Sequence, residues 1–258
     1  IEIIMNKLFY TFSKALIFLV LLMACEQADI ANIDNSSAVV SAYLFVGKPV
    51  DSILITESFS YSREDTILYK LDDLSISLSD GENTHTLQSI GNGFYQNTNV
   101  IVQEDATYSL SFSFNDELIT ASTYTPIKKE VTISSNEISL AQIDFTQGDY
   151  YYVVVENIEQ NPEDVIILPD GGFGGRRFAF ISEPEIIDFY AIQARRELQQ
   201  YGTHRVIVYR VNPEYAALYN LNGSSSISIT EPPSNINNGL GIFTGVSSDT
   251  VYVEVKKG

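Results

Sequence analysis

From Tyr108 to Phe114 the chain alternates without interruption: Tyr108, Leu110, Phe112 and Phe114 fall in one set, Ser109, Ser111 and Ser113 in the other. Only an extended backbone sends successive side chains to opposite faces, so this stretch predicts a strand with one buried and one wet face. Asn115-Asp116 follows as a turn, and Leu118 to Tyr124 reads as the return strand. A fold built around such a pair is layered β, because a half-buried sheet needs a second apolar surface to pack on.

The same pattern recurs upstream. Val39 to Val46 reads as a strand stopped by Gly47-Lys48-Pro49, since proline cannot donate to a ladder, and Ser52 to Glu57 reads as the next. Leu74, Ile76 and Leu78 alternate with Ser75, Ser77 and Ser79 ahead of Asp80-Gly81, a hairpin signal because both residues tolerate positive φ. Thr84 to Ile90 returns and is closed by Gly91-Asn92-Gly93. Short strands at a spacing of roughly 8–12 residues, with no helical period, predict a β-sandwich over 37–126.

Pro126 to Lys129, PIKK, marks the boundary to a second, β-rich domain over 130–258. Val131 to Ser134, Ile138 to Phe145 and Tyr150 to Glu156 look extended; the last, YYVVVE, is apolar on both faces and reads as a central strand. Ile186 to Tyr201 stays open between helix and extended arm, because good helix formers follow aromatic and β-branched residues. His204 to Val211 is a strand. Asn212-Pro213-Glu214 then opens a short helix, with Asn at the N-cap, Pro in the first turn and Glu near the positive end of the dipole. Tyr215, Leu218 and Tyr219 are its expected buried stripe and Asn222-Gly223 its cap. The closing segment Ile236 to Gly245 is read as a glycine turn, Gly239-Leu240-Gly241, with Ile242 and Phe243 plugging the core. Thr250 to Val255 is read as a separate last strand. The expected fold is thus mainly all-β: two β-sandwich-like domains and one short helix in the second.

Residence is written in the N-terminal segment. Ala15 to Cys25, ALIFLVLLMAC, follows Lys7 and Lys14 and ends on the only cysteine of the chain. The run is too short for a bilayer span, which needs roughly 20 apolar residues, and fits an export signal over 1–24. Leu22-Met23-Ala24 ahead of Cys25 resembles a bacterial lipoprotein box, so Cys25 is the expected lipid acceptor. Acyl chains contribute about 0.8 kcal/mol per buried methylene, and two or three of them hold a protein at a membrane with no crossing helix. Residues 25–36 are acidic and aperiodic and read as a flexible tether; loosely, they resemble the export tags of surface lipoproteins in the Bacteroidota. Outer-membrane anchoring is the expected localisation.

Chemistry is sparse by comparison. The formal net charge of −18 repels phosphate backbones, and nucleic acid is excluded as an expected partner. A lipidated Cys25 leaves no thiol for disulfides or metals. His85 and His204 are far apart, and neither sits in a zinc-ligand spacing. There is no Asp-x-Asp-x-Asp-Gly loop for calcium and no Gly-x-Ser-x-Gly elbow for a serine nucleophile. Gly171 to Arg177, GGFGGRR, lacks the Lys-Ser/Thr and the strand-to-helix frame of a phosphate cradle and reads as a surface loop. Asp72-Asp73 and Glu183-Pro184-Glu185 carry no context that marks a catalytic acid pair. No catalytic residue, metal site or cofactor is assigned, and an enzyme is not expected.

Two resemblances extend this reading. Gly93 to Thr120, with Gly-x-Phe-Tyr and Thr-Tyr-x-Leu-x-Phe before a turn, resembles the Ig-like, prealbumin-type sandwich of carboxypeptidase-regulatory repeats. Such modules bind or space. The ordered set VVSAYLFVGKPVDSILITES, SLSDGENTHTLQSIGNGFYQ, Asn235-Ile236, Gly239-Leu240-Gly241-Ile242-Phe243 and Ser248-Asp249-Thr250-Val251 resembles a Bacteroidota lipoprotein family known as domain of unknown function 4249. That resemblance implies a β-rich, exported, lipid-anchored protein associated with TonB-dependent outer-membrane transporters, and it supplies no catalytic residues. The leading expectation is a binding or accessory lipoprotein; a glycan-active envelope hydrolase and a structural or adhesive surface module stay open beside it.

Overall fold

The computed structural model describes residues 36–58, 69–131, 141–144, 150–159, 179–186, 189–192, 197–198, 200–220 and 233–256. The expected signal 1–24, the lipid acceptor Cys25, the tether up to residue 35, the Gly171–Arg177 loop and the Asn222-Gly223 cap lie outside them.

The first half folds as the alternation dictates. Its strands are β1 (Ala38–Phe45), β2 (Pro49–Glu57), β3 (Tyr69–Lys70), β4 (Ile76–Ser79), β5 (Thr84–Gly91), β6 (Phe94–Ile101), β7 (Ala106–Phe114) and β8 (Glu117–Thr125). In β1, Ala38, Val40, Ala42 and Leu44 are buried and the residues between them half-buried. Tyr108, Leu110 and Phe112 of β7 face the same core, as do Ile76 and Leu78 of β4 and Ile119 and Ala121 of β8. The turn between β7 and β8 has φ of 49° at Asn115 and 62° at Asp116, the backbone that a two-residue hairpin requires. At the β4–β5 turn, Asp80 Oδ1 accepts the N–H groups of Glu82 and Asn83 at 3.0 and 2.7 Å, and Asp80 Oδ2 meets His85 Nε2 at 3.0 Å. The His85 ring, and after it the turn N–H donors, lower the Asp80 pKa to about 2.

The second half contains β9 (Ala141–Asp144), β10 (Tyr150–Asn157), β11 (Ala179–Ile181), β12 (Glu185–Ile186), β13 (Phe189–Ile192) and β14 (Gly202–Val211). The helix α1 (Pro213–Asn220), β15 (Ile236–Asn237) and β16 (Leu240–Val255) complete it. In the segment left open between helix and arm, Phe189–Ile192 is a strand, β13, which pairs with β9, and Glu197 lies in a turn. β10 lies inside the sheet between β14 and the edge pieces β11 and β12, the central position expected for YYVVVE. Its two faces differ: Tyr151, Val153 and Val155 are buried in a second core, and Tyr152, Val154 and Glu156 are only half-buried.

The chain is mainly β with one short helix among the described residues, and fourteen of its strands form one sheet, twelve along a single path with β12 paired to β10 and β3 to β2 beside it. That path runs β11-β10-β14-β16-β1-β2-β6-β5-β4-β7-β8-β15 and folds over at β5, so that β8 comes to lie against β16 around the first core. Ser36–Gly258 clusters as one compact unit.

The long strand β16 departs from the expected turn followed by a separate strand. It is one element of 16 residues. Leu240 to Val246 pair parallel with β1, from Val39↔Leu240 to Phe45↔Val246. From Val246 onward the strand pairs antiparallel with β14, from Val211↔Val246 to Gly202↔Val255. β16 therefore changes partner at Val246 and belongs to both cores. Ser247, Ser248 and Asp249 break the hydrophobic pattern but not the backbone, because the β14 ladder runs through them. Gly241, expected in a turn, is likewise inside the strand: at φ 105° an added Cβ would stand 2.0 Å from the Val40 carbonyl oxygen. Phe243 does plug the first core.

Where a neighbouring strand is absent, side chains take over the hydrogen bonds. Asn235 Nδ2 donates to the Phe243 carbonyl at 2.7 Å, and Asn235 Oδ1 accepts the Phe243 N–H at 2.9 Å, so one amide imitates a paired strand. Asn238 Nδ2 donates to the Leu118 carbonyl of β8. The Asn212 carbonyl accepts the N–H groups of Tyr215 and Ala216 at the start of α1. Its side chain does not cap the helix but donates to Thr123 Oγ1 and to the Tyr124 carbonyl of β8. On α1 the fully buried residue is Ala216, with Tyr215 and Leu218 half-buried. The side chain of Tyr219 lies outside those described, and Glu214 accepts the hydroxyls of Thr123 and Thr244 at 3.1 and 3.3 Å.

Candidate functional site

The outer face of β10 and β14 carries the most distinctive side-chain array. Cross-strand register places Tyr152 opposite Tyr209, which in turn faces Ser248. The two rings stack at 4.7 Å between centroids with 10° between planes, the separation that neighbouring strands impose. Tyr215 of α1 stacks on Tyr152 at 5.5 Å and 15°. Tyr43 of β1 meets Tyr215 edge-on at 6.0 Å and 79°. Both geometries are those that the ring quadrupole favours. Four tyrosines from four elements thus form a row, each of them half-buried.

The row has a charged and an aliphatic margin. Glu156, Arg205 and Tyr252 lie side by side across β10, β14 and β16. Arg205 Nε donates to Glu156 Oε1 at 2.6 Å, and the same carboxylate oxygen also takes the Arg205 Nη2. Burial, reinforced by the Glu156 carboxylate, pushes the Tyr209 phenol above its ordinary 10.0. Val154, Ile207 and Ile181 share the face through the pairs Val154↔Ile207 and Val154↔Ile181. Ile181 is 59% exposed and Tyr252 61%.

This surface offers ring edges, phenol hydroxyls and the Arg205 guanidinium, and tyrosine and arginine are residue types enriched at the centre of protein interfaces. The clefts nearby are small. One of about 60 Å³ is lined by Lys129, Tyr151, Arg210 and Asp249 among others, and one of about 110 Å³ by Tyr124, Tyr150 and Asn212 among others. Pockets that enclose a small molecule run to roughly 300–1,000 Å³.

The residues weighed from sequence are dispersed. His85 sits at the β4–β5 turn with Asp80. His204 is buried in the second half with Nδ1 3.2 Å from the Gly202 carbonyl, and burial lowers its pKa from 6.5. Asp72 accepts the Gly93 N–H, while Glu183 and Glu185 are exposed near the β11–β12 edge. No cluster of three or more His, Cys, Asp or Glu is placed to hold a metal among the described residues. The tyrosine row went unread in the sequence because its members stand at 43, 152, 209 and 215. The usable signal was aromatic residues at outward-alternating positions of two strands, Tyr152 in YYVVVE and Tyr209 in HRVIVYRV.

Among known proteins, the profile of one family, described as Domain of unknown function (DUF4249), matches residues 27–251. No curated protein matches the chain. Among solved structures, the FN1–FN3 domains of chicken CNTN1 are similar over 86% of this chain and 67% of that one, with 10% identity and a TM-score of 0.28. Domains from titin are similar over 69% of this chain and 61% of that one, with 11% identity and a TM-score of 0.22.

Proposed function

We propose, since this chain belongs to the domain of unknown function DUF4249 family, that it is a lipid-anchored envelope protein whose tyrosine row docks a partner protein. Cys25 is the lipid acceptor in this reading, the outer membrane is its place, and a TonB-dependent transporter is the partner class. The observation that carries the proposal is the half-buried row Tyr43, Tyr215, Tyr152 and Tyr209 flanked by Arg205 and exposed Tyr252. Tyrosine and arginine are, with tryptophan, enriched among the residues that dominate binding energy at protein interfaces, because they desolvate large areas while keeping a hydrogen-bonding tip. The net charge of −18 favours a partner with a basic rim and speeds its approach.

The test is cross-linking in intact membranes followed by extraction and mass spectrometry, with the natural chain and with Tyr152→Ala/Tyr209→Ala. Recovery of a TonB-dependent transporter with the first and its loss with the second supports the reading. Recovery of no partner, together with turnover of a glycan panel by the purified chain, would replace it with the hydrolase.

A further inference from the structure

Residues 26–258 contain no cysteine, methionine or tryptophan. The side chains that ordinarily take up oxidants first are therefore missing from the fold, and tyrosine is the next to give up an electron. Four tyrosines of the described residues are gathered in the row Tyr43, Tyr215, Tyr152 and Tyr209. Within the row one pair is held closest. Tyr152 and Tyr209 are directly opposed on β10 and β14, inside a ladder that runs from Tyr150↔Val211 to Asn157↔His204. Their centroids are 4.7 Å apart with 10° between planes, whereas Tyr215 reaches Tyr152 from the helix at 5.5 Å. Both rings are half-buried, which leaves part of each open to a small oxidant. Tyr95 and Tyr108, by contrast, are sealed in the first core.

We propose that Tyr152 and Tyr209 form an oxidative modification site, coupled to dityrosine by hydrogen peroxide acting through a one-electron catalyst such as a haem. Each phenol gives one electron to the oxidant and its hydroxyl proton to water. The two ring radicals join by a new C–C bond between their Cε atoms, and the hydrogens displaced from those carbons return to the phenol oxygens. For each bridge one peroxide takes up two electrons and two protons, its O–O bond breaks, and two waters leave. The geometry favours this pair because opposed residues of an antiparallel ladder send their side chains the same way from Cβ atoms about 4.5–5.5 Å apart. Small rotations about χ1 and χ2 then bring the two Cε edges together while the backbone ladder stays intact. The product ties β10 to β14 on the outer face of the second half. The site stands on the stacked pair alone and does not depend on the row docking a partner.

The experiment oxidises the full chain with hydrogen peroxide and a small haem peptide, at high dilution so that chains rarely meet. Dityrosine fluorescence and mass spectrometry of cross-linked peptides are the readouts. The expected product runs as a monomer, lacks two hydrogen atoms, and joins Tyr152 to Tyr209 in a yield several-fold above any other tyrosine pair. Tyr152→Phe and Tyr209→Phe keep the stacked rings but lack the oxidisable hydroxyl, so each should abolish that product with circular dichroism unchanged. Tyr252→Phe, at a position 61% exposed, should leave it. Yields spread evenly over Tyr252 and other tyrosines, coupling chiefly between chains, persistence of the product in either row variant, or no dityrosine under conditions that couple free N-acetyltyrosinamide each overturns the site. Where a row variant fails to fold, the mapped yield in the natural chain decides.

Discussion

Gly241→Ala is the sharpest probe of the shared strand. At φ 105° an alanine is strained, and its Cβ would also lie 2.0 Å from the Val40 carbonyl oxygen and 2.9 Å from the Val40 amide nitrogen. The backbone strain costs of order 1–3 kcal/mol. The collision cannot be relieved by a rotamer, because the obstacle is the backbone of β1, paired to β16 through Val40↔Gly241. Moving the strands apart weakens the neighbouring ladder bonds at about 0.5–1.5 kcal/mol each, and loss of two on top of the strain gives a total of about 2–6 kcal/mol. For a domain of ordinary stability, roughly 5–15 kcal/mol, that is a substantial part of the margin and could exhaust it at the low end. Gly47→Ala is the control: it has φ 76° but nothing within 4 Å of the added Cβ, so it should show the strain alone. Urea unfolding followed by circular dichroism measures both. Equal losses in the two variants would refute the close approach of β1 and β16.

Three further outcomes follow from the same structure. Asn235→Ala removes the amide that serves both backbone groups of Phe243, and about 1–3 kcal/mol should be lost by chemical denaturation. Asn235→Asp should lose more, since a carboxylate oxygen would face the Phe243 carbonyl. His204 has a folded pKa below its ordinary 6.5, caused first by burial and opposed by the Gly202 carbonyl and by Glu159. The unfolded chain therefore binds the proton more readily, so stability is retained above pH 6.5 and falls as the pH drops through the folded value. His204→Gln should flatten that slope in unfolding measured between pH 7.5 and 5. Because β16 belongs to both cores, the β4–β7 and β10–β14 segments should open together. Hydrogen exchange read by mass spectrometry across a urea series should give one midpoint, and two separate midpoints would mean independent domains.

Local pattern alone determined most of the strands of the first half and the face that each one buries. The set Tyr108, Leu110 and Phe112, the turn at Asn115-Asp116 and the helix opening at Pro213 needed only nearest neighbours, because period, φ tolerance and ring geometry are properties of short stretches. Tertiary structure decided what those segments share. Ser247-Ser248-Asp249 looks like the end of a strand in a linear reading, yet pairing with Arg210, Tyr209 and Val208 of β14, some 37 to 41 residues earlier, keeps the backbone extended through it. Register across non-adjacent strands likewise assembled Tyr43, Tyr152, Tyr209 and Tyr215 into one row. A periodicity reports which side of its own strand a residue occupies. Which strand lies beside it is set by long-range pairing, whose free energy is spread over both partners and legible in neither.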